Sequence, residues 1–381
     1  MSSSQTYSPF RSVLLREWRR MTSRRLYFGV CIILPLFTLF FMATIFGNGQ
    51  MENIPIGIVD QDNTASSRAI ARNISAVPTF KVTRHFVNEE AARKAVQKKE
   101  IYGYLSIPPK FEQDAISGKN ATLSYYYHYA LLSVGGELMA AFETSLAPVS
   151  LSPIVMQAVA LGVEQDKITT FLLPVQASNH PIYNPSLDYS VYLSQPFFFV
   201  LFQVLILLIT VYAVGIEIKF RTADEWLFVA KGNMVTAVLG KLLPYTIIFI
   251  LIGWLANYVM FGILHIPFQG SWLLMNMLTA LFVVATQALG LFLFSLFPAI
   301  SLIISIVSMV GSLGATLSGV TFPVTNMYPL VRDASYLFPV RHFTEMMQNM
   351  LYGGSGFIYL WPSVVILCLS LIHISEPTRP Y

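Results

Sequence analysis

The run from Tyr27 to Phe46 (YFGVCIILPLFTLFFMATIF) carries no charge and, as a helix of about twenty residues, is long enough to cross a ~30 Å hydrocarbon core. Nothing else in the chain constrains its fold as strongly. A polar block, Gly47 to Leu193, follows, and then apolar runs crowd together: Ser194 to Ile216, Thr236 to Leu264, Trp272 to Phe297, Ala299 to Phe322, and a last one beginning near Phe357. This distribution predicts a polytopic α-helical membrane protein with six transmembrane helices, the last cut short. A large domain is displaced to one side between helices 1 and 2. Composition agrees, with 55% hydrophobic and 12% charged residues, about half the charge of an ordinary soluble domain.

Residues 1–26 hold Arg11, Arg16, Arg19, Arg20, Arg24 and Arg25 against a single acid, Glu17, which by the positive-inside bias keeps the N-terminus in the cytoplasm. A cleaved signal peptide is the rival reading. The run is too long for one, its basic flank too extended, and no small-x-small cleavage site follows. Alternation then places 47–193 outside, the linker from Glu217 to Val235 inside and the loop from His265 to Ser271 outside. The short connections obey the charge bias: the inside linker holds Lys219, Arg221 and Lys231, whereas the outside loop holds no Lys or Arg. The net charge of +4 comes from the Arg-rich segment beside a membrane helix, so inner-leaflet phospholipid is the expected counterion and no nucleic-acid role is read.

Inside the polar block the pattern becomes that of a small α/β domain. Strands are expected at Ile54 to Val59, Phe80 to Phe86, Tyr102 to Ile107 and Thr122 to Tyr129. Asp60, Asp62 and Asn63 are candidate caps for a helix through Ser66 to Ile74, and Asn88 for one running to Lys99. Pro108-Pro109 opens a helix closing at Gly118, and a long stretch from Leu131 to Gln165 should be interrupted at Pro148 and Pro153. The polar first eight residues read as disordered. Leu369 to Arg379 (LSLIHISEPTR) resembles the translated transposase adapter of sequencing libraries, so 369–381 is expected to be non-native and the sixth helix, in 194–368, to be incomplete.

Chemistry-bearing motifs are absent. No G-x-x-x-x-G-K-[ST] loop occurs, since Asn120 follows Gly118-Lys119 and Leu242 follows Gly240-Lys241, so nucleotide binding of that kind is excluded. There is no H-E-x-x-H and no G-x-S-x-G; His85, His128, His180, His265 and His342 are scattered, and Cys31 and Cys368 both lie in apolar runs. No catalytic, cofactor or metal site is therefore placed. The strongest functional candidate is the linker, in which Phe220, Ala223, Leu227 and Trp226 share a helical face flanked by Lys219, Arg221, Asp224 and Glu225. Such a helix either anchors at the membrane surface or docks into a groove on a cytoplasmic motor.

At these residues a resemblance emerges. IPIGIVDQDNTASSRAIARNI, then FKV, a charged run, and YGYLSIPPKFEQDAISGKNATL look like the extracytoplasmic domain of ABC-2 type transporter permeases, in particular the drug-efflux branch with a large domain after its first helix. In that family the linker typically reads R-E-x-E-x-G-T-x-E-x-L and is followed by G-K-x-x-P. Glu217, Thr222, Glu225 and Leu227 approximate the first motif, with Arg221 where glycine is preferred, and Gly240, Lys241 and Pro244 match the second. The resemblance implies a permease subunit working with a second copy or paralogue and a pair of cytoplasmic ABC ATPase subunits. Those partners carry the ATP and magnesium, while a periplasmic adaptor is a further partner it allows.

Further candidates are the polar residues inside the spans, Gln203, Asn257 and Gln287, which either line a path or glue helices together. The segment containing Pro339, Arg341 and Glu345, with Arg341 and Glu345 at i,i+4, is either an external surface loop or, as the resemblance implies, short re-entrant helices dipping partly into the outer leaflet. Gly311 and Gly314 read as sites of close helix approach. The function expected is outward transport of an amphipathic, drug-like or envelope-related compound from the bacterial inner membrane. The alternatives are a noncatalytic membrane-anchored receptor or envelope scaffold, and a membrane enzyme, for which clustered acid or base groups are missing.

Overall fold

The computed structural model describes residues 8–45, 49, 51–117, 119, 121–160, 184, 188–353 and 357–375. The expectations for residues 1–7, 161–165 and 376–381, and for helix closure at Gly118, fall outside them. The chain divides into two compact units: Met1–Gly49 with Pro181–Tyr381, and Gln50–His180.

In the first unit, α1 (Pro9–Ser23) opens on Ser8, whose hydroxyl accepts from the Arg11 N–H, and buries Val13, Glu17 and Met21, one stripe at i, i+4, i+8. Among the described residues five helices are long and apolar enough to cross a membrane: α2 (Arg25–Ile45), α7 (Ser190–Lys219), α9 (Met234–Ile263), α10 (Trp272–Leu296) and α11 (Ile300–Leu317), where α3–α6 belong to the second unit. Further helices are α8 (Ala223–Val229), α12 (Pro329–Ser335), α13 (Pro339–Gly353) and α14 (Phe357–Ser375), the last being the expected sixth run. The fifth run differs from the expectation. α11 stops at Leu317 rather than Phe322, because Gly319 at φ +86° turns the chain away.

α7 is the centre of this unit. Phe198, Phe199 and Phe202 are fully buried against Phe249 of α9, Phe282 of α10 and Phe343 of α13, with ring centroids 4.4 Å apart for Phe199–Phe343 and 5.6 Å for Phe202–Phe249. α11 approaches α7 through glycine. A Cβ on Gly311 would stand 2.6 Å from Val204, and one on Gly314 2.8 Å from the Gln203 amide, which gives both glycines the close-packing role their spacing suggested.

The second unit is a four-stranded sheet in the order β2-β1-β3-β4, with β1 (Ile54–Asp60) parallel to β2 (Phe80–Phe86) and β3 (Gly103–Ile107), and β4 (Ser124–Tyr127) antiparallel on β3. Helices α3 (Ala65–Ser75), α5 (Phe111–Ile116) and α6 (Leu132–Ala160) close one core around Ile56, Leu105 and Phe142, and α4 (Glu89–Gln97) closes another around Val59 and Tyr104. Asn88 caps α4 as expected. The cap of α3 does not fall to Asp60, Asp62 or Asn63. Thr64 takes it in a reciprocal box with Ser67, while the Asp60 carboxylate accepts from the amides of Asp62 and Asn63 and so shapes the turn before it. The expected break in the long stretch is also absent: the α6 backbone remains helical through positions 148 and 153.

Candidate functional site

The end of α7 does not join a continuous surface helix. α7 runs on to Lys219, and the chain reverses at Arg221, which adopts a left-handed φ of +56°, with Arg221 N–H donating to Ile218 O and Thr222 N–H to Glu217 O. This is a conformation in which glycine costs least, a physical reason for glycine at that place in the family motif. α8 then forms, and a second reversal through Lys231 (φ +54°) and Gly232 (φ +76°) leads to Asn233, whose side chain caps α9 by accepting from Thr236.

The reversal turns Glu217 inward. Its side chain is fully buried and accepts a bidentate pair from Arg16 (2.7 and 3.1 Å), a bond from Arg20, one from the Thr222 hydroxyl and one from Lys241 Nζ (2.7 Å). Lys241, equally buried, also donates to Glu17 at 2.6 Å, and the other Glu17 oxygen accepts from the Tyr245 hydroxyl at 2.6 Å. Three cations thus meet two carboxylates drawn from α1, α7 and α9. The surplus positive charge sits on Arg16 and Arg20, whose side chains keep 22% and 18% of their surface in contact with solvent. Burial opposes charge on Arg20, yet its bond to Glu217 and the field of Glu17 and Glu217 raise its pKa, so it stays ionised.

The G-K-x-x-P signature acquires a local explanation here. A Cβ on Gly240 would stand 3.0 Å from Val13, so glycine is what lets α1 lie against α9, and Lys241 is the next residue, aimed into the cluster. Pro244 is buried inside α9. Trp226 of α8 is buried too, donating its indole N–H to Ala237 O at 3.1 Å, with Lys241 Nζ 5.3 Å from its ring centroid. α8 is therefore riveted to α9 above the ion cluster. Of the anticipated face only Trp226 turns inward, joined by Ala230 just beyond the helix, while Ala223 and Leu227 are half-buried and Phe220, before the helix, is exposed. Outward it presents Asp224, Glu225 and the almost fully exposed Phe228, with Lys219 and Arg221 exposed beside it.

The remaining sequence candidates are placed as follows. Asn257 is fully bonded within the bundle, donating to Asn276 and Thr279 at 3.0 Å each and accepting from Gln195 at 3.2 Å. Gln287 accepts from Thr246 at 2.7 Å, and Gln203 accepts from the Val340 backbone N–H at 2.9 Å, capping the first turn of α13. Pro339 opens that helix, Arg341 is buried, and Arg341 Nη1 lies 3.8 Å from Glu345. Sequence reasoning missed Arg16, Arg20 and Tyr245. The one signal present was the solitary acid Glu17 in a basic, amphipathic segment.

A bundle of long apolar helices in which buried ion pairs join α1, α7 and α9, with α8 bonded to α9 through Trp226 and turning an acidic and aromatic face outward, defines a polytopic helical membrane protein. The model of the ABC-2 family transporter protein matches residues 25–373, and the chain belongs to that family. Over 337 residues it is 21% identical to the inner membrane transport permease YhhJ of Escherichia coli (strain K12), spanning 84% of this chain and 82% of that one. To the probable multidrug ABC transporter permease YbhS of the same strain it is 21% identical over 369 residues, spanning 95% and 93%.

Proposed function

We propose that this chain is the permease subunit of an ABC exporter and moves an amphipathic compound outward across the bacterial inner membrane, powered by separate cytoplasmic ATPase subunits that grip α8. The observation that carries the reading is the rigid link between α8 and the spans. Any push on Asp224, Glu225 or Phe228 reaches α9 through Trp226, and α1 and α7 through Lys241, without passing through a flexible loop.

Connectivity supports the sidedness. In chain order the α/β unit precedes α7 and α8 follows it, and the 30 residues of α7, roughly 45 Å of helix, are enough for one crossing. The N-terminus and α8 face the cytoplasm, α14 begins a sixth crossing, and the α/β unit faces the periplasm. A second permease copy or paralogue completes the conduit, a periplasmic adaptor receives the exported compound, and inner-leaflet phospholipid neutralises the exposed arginines of the N-terminal segment.

Sidedness is tested with a membrane-impermeant maleimide on intact spheroplasts, in a background with Cys31 and Cys368 replaced by serine. Tyr126→Cys is expected to label and Phe228→Cys to label only after lysis. Labelling of both in intact spheroplasts would overturn the exporter reading.

A further inference from the structure

Arg341 is 6% exposed, and its Nε and Nη1 have no hydrogen-bond partner among the described residues. It sits far from either end of the bundle. The residue before it, Val340, is bonded to Gln203, which lies thirteen residues from the start of α7 and sixteen from its end, roughly 20–24 Å of helix on each side. α13 is held at that depth by Phe343 packed against Phe199 and Phe282, and by the Thr344 hydroxyl donating to Ser318 O at 2.7 Å, which fixes the helix turn that carries Arg341.

What surrounds it compensates the charge only in part. The Tyr336 ring lies against the guanidinium, its centroid 4.0 Å from Cζ, which uses the face of the group and leaves its N–H edges open. Glu345 is half-exposed, stands beyond hydrogen-bond distance at 3.8 Å, and accepts instead from Ser363. A buried cation whose donors are unmet is costly, and within a helical bundle such groups mark ligand pathways. The missing element is an acceptor bearing negative charge.

We infer that Arg341, stacked on Tyr336 at the start of α13, binds the acidic head, a carboxylate or a phosphate, of an amphipathic molecule, so that the compounds this permease handles are anionic amphiphiles. A planar fork satisfied by two oxygens suits both groups. Neutral or cationic amphiphiles would leave the N–H edges unmet. The inference rests on the exporter reading for the direction of traffic only, and its test uses binding without any ATPase, so the two fail separately.

The test is fluorescence titration of the purified full-length chain in detergent with 11-(dansylamino)undecanoic acid and with its uncharged amide. The wild type is expected to bind the acid at least tenfold tighter than the amide. Arg341→Gln should abolish that preference with an unchanged or raised melting temperature, Arg341→Lys should retain part of it, and Arg332→Gln, on the exposed face of α12, should leave it intact. No preference in the wild type, a preference that survives Arg341→Gln, or a fall in melting temperature with unaltered preference would each overturn the proposal. Repeating the titration in nanodiscs separates the sources. Loss of acid binding in phosphatidylglycerol but not phosphatidylcholine discs assigns the site to a lipid headgroup, and persistence in both assigns it to the exported compound.

Discussion

The ammonium of Lys241 and the carboxylate of Glu17, 224 positions apart in the chain, meet at 2.6 Å with neither side chain more than 1% exposed. Buried pairs of this kind stabilise less through their own attraction than they cost when one member is removed, because the survivor is stranded away from water. Lys241→Met should therefore lower the stability of the helical unit by about 3–5 kcal/mol, read as a fall in the melting temperature of the detergent-purified chain. Adding Glu17→Gln to that variant should recover part of the loss, since the stranded carboxylate is then gone. A double variant as unstable as the sum of its two singles would remove the pair from the account.

Close approach of α1 and α9 at Gly240 makes a separate prediction. Gly240→Val pushes atoms into Val13, an overpacking expected to cost about 1–3 kcal/mol. The companion change Val13→Ala should return most of it. Thermal melts of the three variants decide the matter, and equal melting points for Gly240→Val with and without Val13→Ala would show that α1 does not rest there.

Local signals made most of this architecture legible in the sequence, and long-range pairing is what they could not supply. Uninterrupted apolar runs located the spans within a few residues, and alternation located β1 to β4, because burial of one face or of a whole helix is written in consecutive residues. Asn88 was legible as a cap; Thr64 was not, since Asp60, Asp62 and Asn63 compete for the same short turn and only the path of the backbone decides between them. The charges of the linker were visible as well, but the left-handed turn at Arg221 divides them into two populations. Glu217 goes inward to Arg16, Arg20 and Lys241, and Asp224 and Glu225 go outward. No periodicity within one segment encodes that partition. The depth of Arg341 was hidden for the same reason, as it follows from a hydrogen bond between Gln203 and Val340 that spans 137 positions.

The α/β unit carries a pH signature. Burial raises the pKa of Glu137 on α6 above its ordinary value, so the folded unit holds its proton to higher pH than the unfolded chain does. Stability from this group is fully present below the usual carboxylate pKa and is lost as pH rises through the raised value. Glu137→Gln should therefore slow amide exchange in β1 and β3 at pH 7 and leave it unaltered near pH 4. The effect is on the order of a few tenths of a kcal/mol, because the half-buried side chain remains partly screened by solvent.

Coupling through the outer face of α8 is tested most directly by ATP hydrolysis in nanodiscs containing the permease and its cognate ATPase, comparing the wild type with the double variant Asp224→Lys, Glu225→Lys. Both residues are exposed and neither is a member of the buried ion cluster, so the variant should fold and keep its melting temperature. The account predicts that substrate-stimulated hydrolysis falls at least tenfold in the variant. Stimulation equal to that of the wild type would contradict it.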